Sequence, residues 1–355
     1  MYKISDAFYT HVQEGEKGNN KGYPFTIKPL NSLVNGILPA TYYLLLGPSG
    51  SGKSTLMYEQ FILNFVDAVY EDKMSIEDII VVMFSLEISP VKFYAKAVSR
   101  FMFKELDYLT TVRSIANVEG KTSKKTYDLL YGEKTRKYLN ILDKVVRVYT
   151  QIDPPKAFNI LTTELNKVSV KSHDALDGSP VFKFKNSKLK FLAALDHVSL
   201  TDPMKGDVLK STIDKISNKV FVKFRNSHGI TPVVLQQITP SEDNMKKVVY
   251  SHKDARDSKN TYHDCDVCLS IGSPMEAEKE SIQHKGKLFH VIPSETNNFL
   301  GLENRIRVIA KEKDRDGDSF QRGIVGFIGE AGMFTDLGEA HEVDYNYYKN
   351  LKANE

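Results

Sequence analysis

The chain has 355 residues, 41% of them hydrophobic and 26% charged, with a net charge of +3. This is the composition of an ordinary soluble globular protein, long for one domain. No apolar run reaches the length of a membrane span, Met1–Asp6 is not a signal peptide, and two cysteines exclude a disulfide framework and fit a reducing cytoplasm. The net charge neither demands nor excludes a nucleic-acid partner, so any DNA footprint must be local.

Residues 1–25 read as an N-terminal arm, with a helical piece from Ile4 to Gln13 and a polar, glycine-rich tether from Glu14 to Gly22. The core, residues 26–338, opens on the apolar strand-type run Tyr42–Leu46. That run enters Gly47, Pro48, Ser49, Gly50, Ser51, Gly52, Lys53, Ser54 and Thr55, a complete G-x-x-x-x-G-K-[ST] phosphate loop. Its glycines let backbone N–H groups turn toward phosphates, Lys53 reaches the β and γ oxygens, and the Ser54 hydroxyl ligates Mg²⁺. Leu56, Phe61, Ile62 and Phe65 follow at helical spacing, so the phosphates would sit on a helix N-terminus. The implied ligand is a nucleoside triphosphate with magnesium.

Further apolar runs follow at Ile79–Phe84, Val145–Tyr149, Phe191–Leu195, Pro232–Leu235 and Val267–Ile271. Between the third and fourth, Ile213, Ile216, Val220, Phe221 and Phe224 form a helical stripe, with Gly229 beyond its end. Strands alternating with helices predict an α/β fold with a mostly parallel sheet covered on both faces. The later runs Leu288–Ile292, Ile306–Ala310 and Ile324–Ile328 lack intervening helices and read as antiparallel strands extending that sheet. Residues 173–190 read as a surface insertion, and 339–355 as an exposed polar tail. Cys265 and Cys268, spaced Cys-x-x-Cys, lack a second ligand pair for zinc and read as small core residues on opposite faces of one strand.

Two of the runs lead into an acid. Glu87 follows Val82-Met83-Phe84-Ser85-Leu86, where a carboxylate can orient and deprotonate the attacking water. Asp196 ends Phe191–Leu195, the pattern of a Walker B aspartate that holds Mg²⁺ through its water shell. Gln237 ends Val233–Gln236, where an amide can sense the γ-phosphate. Together with Phe84–Ser89, Leu195-Asp196-His197-Val198, Pro232–Ile238, Asp254–Ser258 and Lys313-Asp314-Arg315-Asp316-Gly317, this ordered set resembles the ATPase domain of DnaB-type replicative helicases. The likeness spans about residues 28–337, with His197 where that family usually has Tyr and Gln236 where Ser is more usual.

The resemblance implies a RecA-like fold and a hexameric ring that hydrolyses ATP at subunit interfaces while moving on single-stranded DNA during replication. Lys53, Ser54, Asp196, Glu87 and Gln237 would act in one subunit, and Lys313 and Arg315 on its neighbour's nucleotide. The loop after Walker B (Lys205, Lys210) and the loop after Gln237 (Lys246, Lys247, Lys253), with Arg256, would contact DNA without reading bases. Only about 25 residues precede the core, where a typical replicative helicase has a collar domain that engages primase. The arm would dock on a neighbouring subunit, and the divergent, stripped-down core points to a bacteriophage or mobile-element protein in a bacterial cytoplasm. A RecA-like recombinase or a DNA-binding filament is the alternative.

Overall fold

The computed structural model describes all residues except 1–3, 17, 19, 117–119, 121, 174–179, 294–299 and 353–355. Among the described residues, nine strands form one sheet. Six are parallel: β1 (Tyr43–Gly47), β2 (Ile79–Ser85), β3 (Val146–Tyr149), β6 (Lys190–Asp196), β7 (Thr231–Gln237) and β8 (Val267–Gly272). Three antiparallel strands continue from β8: β11 (Ile306–Asp314), β12 (Gln321–Ile328) and β13 (Met333–Thr335). The spatial order is β13-β12-β11-β8-β1-β7-β6-β2-β3, which puts the loop-bearing strand β1 at its centre.

Every residue of β1 and β2 is buried. Strands covered on both faces need apolar side chains at every position, so they read as continuous runs instead of alternating ones. Tyr43 and Leu45 face one layer, with the helical run behind the phosphate loop and the helices Lys28–Val34, Pro90–Leu106 and Glu133–Val145. Leu44 and Leu46 face the other, with Pro154–Val168 and the helical run from Leu209. That run is built of Leu209–Asp214, Lys215–Val222 in π geometry, and Lys223–His228. It ends at Gly229, whose φ of +69° supplies the left-handed stop that glycine adopts without a Cβ penalty.

Three readings need correction. The run Leu288–Ile292 does not extend the sheet. Its strand β10 (Lys287–His290) pairs with β9 (Ser281–His284) in a separate hairpin, because Lys285 and Gly286 both adopt positive φ and close a tight two-residue turn. Cys265 lies outside β8, at the end of the helix Asn260–Asp264, and is buried in the same apolar layer as Cys268. The chain breaks there because the Asp266 amide donates to the Tyr42 carbonyl (2.9 Å), so the two thiols do not alternate across one strand. The tail from Glu339 is also not wholly exposed: helix Tyr345–Asn350 buries Tyr348, whose hydroxyl pairs with that of Thr335 at 2.7 Å.

Within 173–190 the described residues include β5 (Pro180–Phe184), which forms a hairpin with β4 (Ser169–His173). Residues 174–179 lie outside the described residues. Phe182 stacks on the His228 ring with centroids 3.9 Å apart, which ties the hairpin to the helix Lys223–His228. The N-terminal helix runs Ile4–Glu16, three residues past the expected end, and exposes Phe8, Tyr9 and Val12. The chain rejoins the core at Tyr23, which stacks on Phe65.

The helical run behind the phosphate loop is locked from below by charge. Arg100, fully buried, donates to both Asp67 oxygens (3.0 and 2.8 Å) and lies 3.7 Å from Glu59; Lys104 adds contacts to Asp67 and Glu71. Burial by itself would raise the Asp67 carboxyl, but Arg100 and Lys104 hold it below its ordinary value. Asp67 therefore contributes stability above about pH 4 and loses it as pH falls through that lowered value. Removing the guanidinium leaves two buried carboxylates uncompensated, so Arg100→Met is expected to cost about 3–5 kcal/mol. A urea unfolding midpoint equal to that of the wild type would contradict this.

Candidate nucleotide site

The phosphate loop leaves β1 at a position only glycine fits: a Cβ on Gly47 would fall 2.4 Å from the Ile271 carbonyl oxygen. Gly50 and Gly52 then turn the chain at φ of +81° and +99°, and Lys53 opens the helix Lys53–Leu56. Ser51, fully buried, donates to the Pro48 carbonyl at 2.9 Å, and the Lys53 ammonium folds back onto the same oxygen. Burial pulls that ammonium down to about 8, against the opposing pull of Asp196, Glu87 and Glu276.

Strand register brings the acids to this loop. Gly47 pairs with Gln237, Ser85 pairs with Asp196, and the Leu86 amide donates to the Asp196 carbonyl at 2.7 Å. Glu87 thus emerges beside Asp196 at the carboxyl edge of the sheet, and its side chain is exposed. Asp196 is 1% exposed. Its Oδ2 accepts from the Tyr58 hydroxyl, while Oδ1 is buried with no hydrogen-bond partner. Burial raises its carboxyl, as does Glu87, while hydrogen bonds from Tyr58 and Ser54 oppose the rise. His197 is buried, and its Nε2 lies 3.2 Å from the Gln237 amide nitrogen.

An unpartnered, buried carboxylate oxygen beside a serine hydroxyl is a pair of hard ligands suited to Mg²⁺. No group of three or more His, Cys, Asp or Glu side chains able to hold a metal exists among the described residues. An ion here would complete its shell with phosphate oxygens and water, which is how Mg²⁺ is usually held. The residues present therefore fit a nucleotide with magnesium.

Three neighbours of this site escape sequence reasoning. Arg307 on β11, fully buried, donates from Nε to the Ser51 carbonyl (2.9 Å) and lies over the Phe327 ring, 4.2 Å from its centroid. Burial pulls its guanidinium down to about 10. Its one signal is a lone charge inside the run Ile306–Ala310. Tyr58 stands four residues after Ser54, the helical spacing that puts both beside Asp196. Glu276 lies against the loop: a Cβ on Gly50 would meet its Oε1 at 3.0 Å.

Lys313 and Arg315 are not brought to this site in their own chain. The Lys313 ammonium donates to the carbonyls of Tyr262 (2.6 Å) and Cys265 (2.7 Å); Arg315 donates to the His263 carbonyl (2.8 Å) and pairs with Asp266 (3.2 Å). Both Asp314 and Tyr43 pair with Val267, so the two cations sit at the amino edge of the sheet. Four strand residues, about 13 Å, separate that edge from Gly47.

The lysines expected to meet DNA lie on connections leaving β6 and β7, at the carboxyl edge. Lys205, Lys210 and Lys253 are exposed; Lys246 pairs with Glu242 (2.8 Å) and Lys247 with Asp254 (2.7 Å). Arg256 is half-exposed beside Asp257, and its amide donates to the Gln237 carbonyl at 2.9 Å. Gln236, fully buried, donates to the carbonyls of Arg256 (2.5 Å) and Ser258 (2.6 Å), tying this segment to β7.

No protein-family model matches the sequence, and no curated protein does. Solved structures do match the fold. One, the ATPase domain of a DnaB-like helicase, superposes with a TM-score of 0.66 at 15% identity, over 95% of this chain and 100% of that one. A DnaB-like replicative helicase, solved to show its interactions with primase, superposes at 0.61 and 15% identity, over 95% of this chain and 68% of that one. Sheet order and phosphate loop together define a RecA-like P-loop ATPase fold. Within that class, the architecture is the one shared by the ATPase domains of DnaB-like helicases.

Proposed function

We propose that the protein is an ATP-dependent DNA helicase that acts as a homohexameric ring on single-stranded DNA in replication. The observation that carries this reading is the division of the site. Lys53, Ser54, Asp196, Glu87 and Gln237 converge at the carboxyl edge of the sheet, and Lys313 and Arg315 stand at the amino edge. A head-to-tail contact between copies joins the two halves, and such a contact repeats into a ring or a helix.

In the joined site, the loop amides and Lys53 hold the triphosphate, and Glu87 takes the proton from the attacking water. Gln237 touches the γ-phosphate, and Arg315 of the adjacent copy neutralises charge on the transferring group. Magnesium, held by Ser54 and Asp196, supplies neutralisation of the phosphate oxygens. The lysine-bearing loops lie on the strands that carry Asp196 and Gln237, so nucleotide state and DNA grip share a scaffold. Exposed Phe8, Tyr9 and Val12 suit the N-terminal helix to docking on a neighbour. A primase or another replication protein is the further partner this reading names.

The test is electron microscopy of the protein with a non-hydrolysable ATP analogue and single-stranded DNA. Closed six-membered rings are expected. Extended filaments would overturn the ring and favour a recombinase-like assembly.

A further inference from the structure

Among the described residues, Phe320 is the most exposed large apolar side chain, 83% accessible. Its φ of +62° lies in the left-handed region, which glycine and asparagine enter readily and a bulky residue rarely does. The hairpin fixes it there: the Phe320 amide donates to the Lys311 carbonyl at 2.7 Å, and the Asp314 amide donates to the Ser319 hydroxyl at 3.2 Å. The ring is thus driven outward from the turn joining β11 to β12, the turn that carries Arg315 on its other limb. Around it the sequence from Lys311 to Asp318 is almost wholly charged. A ring held out in this way gains stabilisation only through burial against another molecule.

We propose that Phe320 is the apolar anchor that seats this hairpin on a second copy of the chain, beside that copy's nucleotide. The inference rests on the reading of Arg315 as acting on an adjacent subunit. The occupant follows from placement: the hairpin lies at the sheet edge away from its own phosphate loop, so a nucleotide can meet Arg315 only from another copy. The rim of that other site is apolar where the hairpin would land. Val91, 76% exposed, opens the helix that follows Glu87, and Met275, 43% exposed, precedes the Glu276 that lies against Gly50. One anchor aromatic meeting exposed aliphatic side chains around a charged centre is the usual make-up of an interface hot spot.

Phe320→Gly removes the ring and relieves the backbone, so its two effects have opposite signs. The melting temperature of the isolated subunit should stay the same or rise. The concentration at which subunits assemble with ADP and Mg²⁺, read by sedimentation velocity, should rise at least tenfold. Phe320→Leu, which keeps apolar bulk, should return the midpoint to within about threefold of wild type. An assembly midpoint for Phe320→Gly within a factor of two of wild type would overturn the anchor. A fall in melting temperature would also overturn it, because the ring would then be packing within its own subunit. Arg315→Ala separates this proposal from the reading beneath it: failure of the catalytic role appears in turnover, and failure of the anchor appears in assembly.

Discussion

Arg315→Ala is expected to lower the steady-state ATPase rate by about 10³–10⁵, the range that an arginine supplied from outside the nucleotide pocket is worth in related enzymes. Nucleotide affinity should change little, because the side chain stands at the amino edge of the sheet and touches only His263 and Asp266 of its own chain. Any ground-state binding it contributed would have to come from the same pocket. The guanidinium acts instead where negative charge spreads over the transferring phosphoryl group, so its loss falls on turnover. Lysine at this position keeps a charge but not the planar fork, and Arg315→Lys should stay well below wild type. A rate within a few-fold of wild type for Arg315→Ala would remove it from the reaction.

Glu87→Gln carries the second large effect. The amide keeps the size and hydrogen-bonding reach of the carboxylate but cannot accept the proton from water, so hydrolysis should fall by about 10²–10⁴. Binding should persist or tighten. The Glu87 charge raises the neighbouring Asp196 carboxyl, and its removal takes one negative charge away from the place where phosphates enter. Single-turnover measurement with a fluorescent nucleotide separates the two effects. Near-normal hydrolysis with unchanged binding would show that Glu87 is not the base.

The legible part of this site is the part with local causes. Gly47, Gly50 and Gly52 are dictated by backbone approach and positive φ, and such constraints show as glycine in any sequence. The central strands are legible because burial on both faces demands unbroken apolar runs, and Asp196 because an acid closing such a run stands out. Long-range support is not legible: Arg307 reaches Ser51 across 256 residues, and nothing near either residue announces the pair. The run Leu288–Ile292 has the apolar content of a sheet strand, and only the Lys285-Gly286 turn diverts it into its own hairpin. Cys265 falls one residue past a short helix, a boundary that periodicity does not resolve. Tyr348 in a polar tail gives no sign that its ring is buried. Loop lysines carry the least information. Lys246 and Lys247 are ion-paired within their own loop, so charge alone does not tell a DNA contact from a solvated pair.

The most direct test of the account is to mix Arg315→Ala subunits with Lys53→Ala subunits, each inactive alone, and follow ATP hydrolysis across mixing ratios. At equal amounts, about a quarter of head-to-tail interfaces join an intact phosphate loop to an intact Arg315. Activity should therefore return in the mixture, peak near equal proportions, and vanish at either end. No recovery at any ratio, with mixed assembly confirmed, would contradict a site divided between two copies of the chain.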